Sequence, residues 1–181
     1  SREVVDRNRI TKDRREMIKG KGEVNVICFN YFLGDELINV KYRDAEKHFK
    51  QETDADSIFY KLDDIMNETV CGICEGEIDA LSFEMVGFKN FLSVPEGGIQ
   101  PNTKDSTKKM KFMDNCIDYF ENIRVIYLAL DSDIPGIKIK EELVKRLGVN
   151  RCYIVEFPED CKDANDVLLK YGKERLRQCV I

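Results

Sequence analysis

The chain has 181 residues, of which 43% are hydrophobic and 35% charged, and its formal net charge is −5. This composition indicates a globular protein with one large domain or two small ones, and no apolar stretch approaches the roughly 18 residues of a membrane span. Residues 1–50 hold more Lys and Arg than Asp and Glu, whereas the remainder is acidic. The acidic total therefore does not exclude a nucleic-acid partner, because binding depends on local patches.

The first part of the chain predicts a short basic helix followed by an antiparallel meander. The segment RITKDRREMIKG favours a helix that ends at Gly20. EVNVICFNYF and ELINVKYRD are strand-forming runs separated by LGD, a hairpin signal, and KHFKQE offers a third strand. We expect these elements to form an α+β subdomain over residues 1–68, with its boundary near DDIMNET.

From about Thr69 the sequence predicts an alternation of strands and helices. The predicted strands are TVCGIC, FLSV, RVIYLAL and RCYIVEF, and two of the predicted helices are EIDALSFEMVGF and GIKIKEELVKRLG. Another helix is expected after an N-cap at Asp105, and four apolar residues share one of its faces: Met110, Met113, Ile117 and Phe120. This pattern predicts an α/β subdomain over residues 69–181, with a mostly parallel four-stranded sheet covered by helices on both faces.

Seven cysteines are scattered along the chain without regular spacing, which argues against a disulfide framework and for a reducing compartment. Cys71 and Cys74 form a lone C-x-x-C pair, but no second pair at the spacing of a zinc site accompanies it. Buried thiols in a strand are the simpler interpretation, so we expect no zinc in this chain. Because the chain begins at Ser1 rather than Met, we also expect it to be a piece of a longer protein.

Acidic clusters follow three predicted strands, in the segments CEGEID, DSD and CKDAND. Ligands of open α/β sheets bind outside the carboxyl ends of the strands, and converging carboxylates suit a divalent metal such as Mg²⁺. Asp131 and Asp133 would repel each other without a cation. The alternative is that Asp131 caps the helix that begins near Pro135 while Asp133 is solvated.

Glu75 stands at the end of its predicted strand and is a candidate metal ligand or general acid/base. Gly76 permits a tight turn or a close approach by a ligand. Asp79 falls near the start of the next helix, where a structural role is more plausible.

CEGEIDALS, LALDSDIPG and CKDANDVL, in this order, resemble the TOPRIM fold of primases, topoisomerases and some nucleases. The similarity covers roughly residues 70–171. KDAND resembles a segment of phage-type primase-helicases, and LINVKYRDAEKHFKQE resembles the basic strand pair of the same RNA-polymerase domain. The whole chain is thus similar to the primase module of a bacteriophage-type primase-helicase.

The resemblance implies an enzyme that makes short RNA primers on a single-stranded DNA template from ribonucleoside triphosphates with Mg²⁺ or Mn²⁺. It implies catalytic and metal-binding roles for Glu75, Asp131 and Asp133, and a metal-binding role for Asp163. It also implies that basic residues of the upstream strands meet nucleotide or nucleic acid: Lys41, Arg43, Lys47 and Lys61. An ordinary solvated charged hairpin is the alternative interpretation of these cations.

The sequence departs from the family pattern at some positions, and the resemblance implies further modules in the full-length protein. Ile134 and Pro135 follow the D-x-D pair where other primases often carry charged residues. The loop VPEGGIQPN holds Gly97 and Gly98, which either let backbone approach a nucleotide or serve a turn. A zinc-binding module and a ring helicase are expected in the full-length protein, and the isolated module is expected to be a monomer in the cytoplasm of a bacterial or phage-infected cell, away from membranes.

Other functions remain open on the sequence alone. A TOPRIM nuclease would degrade single-stranded DNA without added nucleotides. A topoisomerase would need a catalytic tyrosine in a separate domain, and the tyrosines here lie mostly within ordinary strand patterns. A non-catalytic nucleic-acid-binding or assembly module is the third possibility.

Overall fold

The structure is a computed structural model and describes residues 1–100 and 109–180. These residues form two compact units, of which the first ends at Ser57 and the second begins at Ile58. Each unit contains a four-stranded sheet, antiparallel in the first and parallel in the second. The predicted combination of an antiparallel meander with an α/β sheet is confirmed. Within the described residues, no helix has both the length and the apolar character that crossing a membrane requires.

The first unit is a short helix followed by a meander in the spatial order β1-β2-β3-β4. Its elements are α1 (Arg2–Arg7), β1 (Thr11–Arg15), β2 (Val24–Leu33), β3 (Glu36–Arg43) and β4 (Phe49–Gln51). Alternate residues of β2 and β3 build a small buried cluster of Val26, Cys28, Val40 and Tyr42. Cys28 lies opposite Tyr42 in the ladder, so the period of two places these side chains on one face.

The helix predicted in RITKDRREMIKG is wrong, because residues 11–15 of this segment form strand β1. Thr11 lies opposite Cys28 and Arg15 opposite Val24 in an antiparallel ladder with β2. Helix propensities differ by only tenths of a kcal/mol per residue. Pairing with β2 satisfies backbone N–H and C=O groups along the strand. Pairing with the long strand β2 therefore makes residues 11–15 an exposed edge strand and not a helix.

The second unit is an α/β structure whose strands lie in the order β6-β5-β7-β8. Its strands are β5 (Val70–Cys74), β6 (Phe91–Ser93), β7 (Val125–Ala129) and β8 (Cys152–Ile154). Its α-helices within the described residues are α2 (Glu77–Met85), α3 (Lys111–Cys116), α4 (Ile134–Leu147) and α5 (Ala164–Gln178). The most central strands, β5 and β7, are joined in register from Val70–Val125 to Cys74–Ala129.

Gly72 explains how closely β5 and β6 pack beside α2. The ring of Phe91 stacks on Phe83 of α2 with its centroid 3.9 Å away. A Cβ atom at Gly72 would lie 2.2 Å from the same Phe91 ring. Only glycine leaves room for this ring, which holds α2 against the sheet.

The division between the units differs from the predicted boundary after Glu68. The ring of Phe59 packs against Phe112 and Phe120, with centroids 4.8 and 5.5 Å away. Tyr60 donates its backbone N–H to the carbonyl of Ser93 at 3.0 Å. Residues 58–68 thus belong with the parallel sheet, and we propose Ser57–Ile58 as the domain boundary.

The helix predicted after Asp105 is shorter in the described part of the chain, and Asp105 itself lies outside the described residues. Helix α3 ends at Cys116 and continues as a 3₁₀ turn over Ile117–Phe120. Met110, Met113 and Phe120 are buried as a shared face predicts, but Ile117 is 39% exposed. The tighter 3₁₀ winding breaks the 3.6-residue period on which that face was based.

Candidate metal centre

Three acidic side chains converge at the carboxyl edge of the parallel sheet. Glu75 follows β5 directly, and Asp131 comes two residues after β7. The last residues of these neighbouring strands, Cys74 and Ala129, lie opposite each other. Glu75, Asp131 and Asp133 each place a carboxylate oxygen within 4.8 Å of those of the other two. We call these three residues the acidic cluster.

Asp133 is positioned as the N-cap of α4. Its Oδ1 atom accepts a hydrogen bond from the N–H of Gly136 at 3.0 Å, and Pro135 occupies the first helical turn. The alternative interpretation placed this cap at Asp131, so the structure assigns the capping role to the other aspartate. Capping occupies one oxygen of Asp133, and the residue still joins the acidic cluster.

Glycines allow the close approach of backbone on which the cluster depends. A Cβ atom on Gly136 would lie 2.3 Å from the carbonyl oxygen of Asp131. A Cβ atom on Gly98 would lie 2.7 Å from the backbone carbon of Pro135. Gly97 adopts a φ of +68°, which favours glycine. Close packing against the start of α4 therefore accounts for Gly98, and an approach of this backbone to a nucleotide stays a prediction.

The environment of Glu75 favours the protonated form of its carboxyl group. Its Oε1 atom accepts a hydrogen bond from the N–H of Gly98 at 2.9 Å. Its Oε2 atom is buried and has no hydrogen-bond partner among the described residues. Burial, and then the negative charge of Asp131, raise the pKa of Glu75 to about 7. A bound cation would compensate this buried oxygen.

Asp131 is compensated in part by a lysine. The Asp131 side chain is 8% exposed, and the Nζ atom of Lys162 lies 2.7 Å from its Oδ2 atom. Burial raises the pKa of Asp131, although the hydrogen bond from Lys162 opposes that shift. The same hydrogen bond raises the pKa of Lys162. The structure thus places an ammonium group against the most deeply buried carboxylate of the cluster.

Asp163 is not in the acidic cluster. It is the N-cap of α5, and its Oδ1 atom accepts a hydrogen bond from the N–H of Asp166 at 2.8 Å. Its charge nevertheless reaches Asp79, whose pKa is raised by burial and then by Asp163. Asp79 in turn accepts a hydrogen bond from the N–H of Asn165 at 3.0 Å, which links the starts of α2 and α5. A metal-binding role for Asp163 stays a prediction.

Three of the predicted basic residues belong to the first unit. The Nζ atom of Lys41 lies 5.2 Å and the guanidinium carbon of Arg43 5.9 Å from the ring centroid of Phe49. Both cations therefore share one face of the meander, as their alternation with Tyr42 predicts. Lys47 is exposed in the turn after β3, with a φ of +67°. Their assignment to nucleic acid stays a prediction.

Lys61 belongs to the second unit and lies inside it. Its side chain is 2% exposed and forms ion pairs with Glu84 of α2 and with Asp64, the latter at 3.1 Å. The ammonium group is thus engaged within the protein and faces away from solvent. A nucleotide-binding role for Lys61 stays a prediction. In the structure its ammonium group forms ion pairs within the second unit.

The acidic cluster has the donor chemistry of a divalent-metal site. Carboxylate oxygens are the hard ligands that Mg²⁺ and Mn²⁺ prefer, and these ions usually take a few carboxylates together with water and phosphate oxygens. The buried Oε2 atom of Glu75, without a hydrogen-bond partner among the described residues, is the observation that fits a role as a metal ligand. Glu75, Asp131 and Asp133 would hold such an ion.

Two contacts of the site were not found from the sequence. Lys162 stands beside Asp163 in CKDAND, but nothing in that segment shows that its ammonium reaches Asp131. The hydrogen bond from Gly98 to Glu75 joins residues 23 positions apart. The sequence indicated only that Lys162 and Gly98 belong to segments with a predicted functional role, CKDAND and VPEGGIQPN.

Comparison with known proteins places the chain among TOPRIM proteins. Residues 72–168 match the family described as Toprim-like. The chain is 38% identical to the Twinkle homolog protein, chloroplastic/mitochondrial, of Arabidopsis thaliana and 37% identical to the Primase homolog protein of the same plant. Both matches cover 100% of this chain, but only 26% and 55% of those proteins.

The fold is also found in a solved structure. The primase fragment of the bacteriophage T7 primase-helicase protein superposes with a TM-score of 0.80 at 21% identity. The match covers 100% of this chain and 71% of that one. It shows that the antiparallel meander and the parallel sheet occur together in a primase fragment.

Proposed function

The chain belongs to the Toprim-like family, and we propose that it is the nucleotidyl-transfer core of a DNA primase. In this proposal it joins ribonucleotides into short RNA primers on single-stranded DNA with Mg²⁺ or Mn²⁺. The plant relatives include a protein named as a primase homolog, and the similar phage structure is a primase fragment. Because the chain spans about a quarter to half of the plant relatives, the activity of the whole protein is part of the proposal.

The observation that carries the proposal is the acidic cluster with its buried, unpartnered Glu75 oxygen. Phosphoryl and nucleotidyl transfer depend mainly on positioning and on stabilising charge at phosphates. A site at the carboxyl edge of a parallel sheet, built from three carboxylates, is suited to bring a divalent cation and a triphosphate together.

Each residue of the cluster has a separate task in this function. A divalent ion held there would stabilise the charge on the reacting phosphates and would make an attacking hydroxyl more acidic. Asp131, between β7 and α4, has a nearly buried carboxylate that would bind the ion. Asp133 is fixed by its cap on α4 and contributes a second carboxylate. Glu75, whose pKa is about 7, is able either to bind the ion or to accept a proton at Oε2.

The test is incorporation of labelled ribonucleotides on mixed-sequence single-stranded DNA with Mn²⁺, at high protein concentration. We expect short RNA products from the native chain and their loss in Asp131→Asn. Asp118→Asn is the matched control, because Asp118 is exposed in the 3₁₀ turn after α3 and undergoes the same charge change. The control variant should keep the activity.

The same assay separates the other candidate functions. Degradation of the DNA without added nucleotides would replace the primase proposal with a nuclease. Binding of single-stranded DNA that needs neither metal nor nucleotides, without any product, would replace it with a non-catalytic module. Full product formation by Asp131→Asn would remove the acidic cluster from the mechanism.

The proposal includes partners beyond the chain. The template, the ribonucleoside triphosphates and the primer are its direct ligands. The similar phage structure is a fragment of a protein named as a primase-helicase, which supports fusion to a helicase, and the zinc-binding module is proposed from the motifs alone. One plant relative is named as chloroplastic/mitochondrial. An organelle is therefore an alternative to the bacterial or phage setting that the motifs predict.

A further inference from the structure

The contact between Lys162 and Asp131 places a cation of the protein itself on the acidic cluster. The two groups are 2.7 Å apart, which is a hydrogen-bonded ion pair. The two side chains differ in burial, since that of Asp131 is 8% and that of Lys162 58% exposed. Lys162 is therefore able to leave Asp131 for solvent without unpacking the core.

The ammonium of Lys162 acts on the whole cluster and not only on Asp131. The charges of Asp133 and Glu75 also raise the pKa of Lys162, after its hydrogen bond to Asp131. Its own charge reciprocally opposes the upward pKa shifts of Asp131 and Glu75. A divalent ion bound by the same three carboxylates would face this ammonium at close range, and like charges repel there.

We propose that Lys162 is a displaceable counter-ion of the acidic cluster that binds a nucleotide phosphate once a divalent cation takes its place on Asp131. In the metal-free protein it neutralises part of the buried negative charge. When the cation arrives, the ammonium moves away from Asp131. The phosphates that a nucleotide brings to the cation are then the nearest new anions.

The position of Lys162 in the chain suits this movement. It stands in the loop before α5, directly ahead of the N-cap Asp163, so the backbone is anchored while the side chain is free to reorient. A lysine is a compact charge on a flexible stem, which allows it to reach two different anions from one backbone position.

The test measures ligand binding and does not depend on catalysis. Mn²⁺ affinity is measured alone by electron paramagnetic resonance, and ATP affinity is measured by calorimetry at saturating Mn²⁺, with the full chain and Lys162→Gln. We expect Lys162→Gln to bind Mn²⁺ on the order of tenfold more tightly, because the competing cation is gone. We expect it to bind ATP on the order of tenfold more weakly, because a charged hydrogen bond is lost.

Two further variants keep the result interpretable. Lys145→Gln carries the same charge change near the far end of α4 and should alter neither affinity, since Lys145 is exposed and pairs with Glu142. Lys162→Arg retains the positive charge and should bind Mn²⁺ much as the native chain does. Thermal unfolding of each variant confirms that it is folded.

The nucleotide part of the inference rests on the proposed function, whereas the metal part does not. Unchanged or weaker Mn²⁺ binding by Lys162→Gln overturns the counter-ion role, and unchanged or tighter ATP binding overturns the phosphate role. If the native chain makes no primer but Lys162→Gln still shows both shifts, the primase proposal fails while this inference stands.

Discussion

At the scale of single residues, Glu75 shows how a sheet edge changes the chemistry of an ordinary carboxyl group. Its position after β5 places it beside Asp131, half-buried, with its Oε2 atom out of reach of solvent. Burial and a like charge both favour the neutral form, and one hydrogen bond from Gly98 only partly opposes them. The folded protein therefore binds a proton at Glu75 near neutral pH, which the unfolded chain does not.

This difference predicts a pH-dependent stability of the metal-free protein. Folding raises the pKa of Glu75 from 4.5 to about 7. The contribution of this group to the free energy of unfolding is therefore fully present below pH 4.5 and is lost as the pH rises to about 7. We expect Glu75→Gln to remove this loss and to exceed the native chain in free energy of unfolding at pH 8 by about 1–3 kcal/mol, after allowance for partial exposure.

Urea unfolding in a chelator between pH 4.5 and 8 measures this effect. Glu141→Gln is the matched control, because Glu141 is exposed on α4. If the difference in free energy of unfolding between the native chain and Glu75→Gln is the same at every pH in this range, folding does not raise the pKa of Glu75.

A second prediction at this scale concerns Gly136. The Cβ atom of Gly136→Ala would meet the carbonyl oxygen of Asp131 at 2.3 Å, so the start of α4 has to move. We expect a loss of about 2 kcal/mol or more in the free energy of unfolding, together with weaker Mn²⁺ binding. Denaturant unfolding and Mn²⁺ titration check both effects.

The control for Gly136→Ala is Glu141→Ala in the exposed middle of α4, where alanine is a good helix former. If Gly136→Ala keeps the stability and the Mn²⁺ affinity of the native chain, the backbone of Asp131 does not lie as close to residue 136 as the structure indicates.

At the scale of elements, a buried ion pair joins the 3₁₀ turn over Leu62–Ile65 to helix α2. Lys61 precedes the turn and pairs with Glu84, and both side chains are almost fully buried, at 2% and 3% exposure. Removing one partner of such a pair leaves the other charge buried without compensation. The pair therefore ties the 3₁₀ turn to helix α2.

We expect Lys61→Met to lower the free energy of unfolding by about 3–5 kcal/mol. The double variant Lys61→Met/Glu84→Met should recover a large part of this loss, because neither charge is then buried alone. Chemical denaturation of the native chain, both single variants and the double variant completes the cycle.

The same cycle separates the two interpretations of Lys61. A residue that only binds nucleotide would leave stability unchanged in Lys61→Met and lower ATP affinity. An additive cycle, with no recovery in the double variant, would contradict the structural role of the pair.

At the scale of the whole molecule, the chain divides into an antiparallel unit and a parallel unit. The backbone between them, from Glu52 to Ser57, forms no helix or strand and is largely exposed. Ile58, Phe59 and Tyr60 follow at once and are buried. We therefore expect this short segment, and not the region around Glu68, to be the most accessible connection between the units.

Limited proteolysis with an enzyme that cuts after Asp and Glu tests the boundary. We expect the first cut in the connection to fall at Glu52, Asp54 or Asp56, as identified by mass spectrometry of the fragments. Asp63, Asp64 and Glu68 offer the same chemistry and serve as internal controls. Earlier cutting at these three would support the boundary after Glu68.

The order and type of nearly all elements of the second unit follow from the sequence pattern alone. Strong strand runs such as VCGIC and RVIYLAL, interrupted by helical patterns, leave few arrangements other than a parallel sheet. Because the carboxyl ends of neighbouring parallel strands meet at one edge, the sequence also predicted that Glu75, Asp131 and Asp133 approach each other. The fold prediction succeeded because local periodicity and chain connectivity carry it. The metal-binding role of the three residues stays a prediction, and Asp163, predicted with them, lies outside the acidic cluster.

The features that depend on a distant partner became known from the folded structure. Residues 11–15 became a strand because β2 offered them a ladder, although their own preferences favour a helix. Lys61 forms a buried ion pair because the fold places Glu84 beside it. Lys162 contacts Asp131, which lies 31 residues earlier in the chain. Hydrogen bonds, burial and charge pairing between remote segments have no local signature, so the contacts of the acidic cluster with Gly98 and Lys162 follow from the fold and not from the motifs.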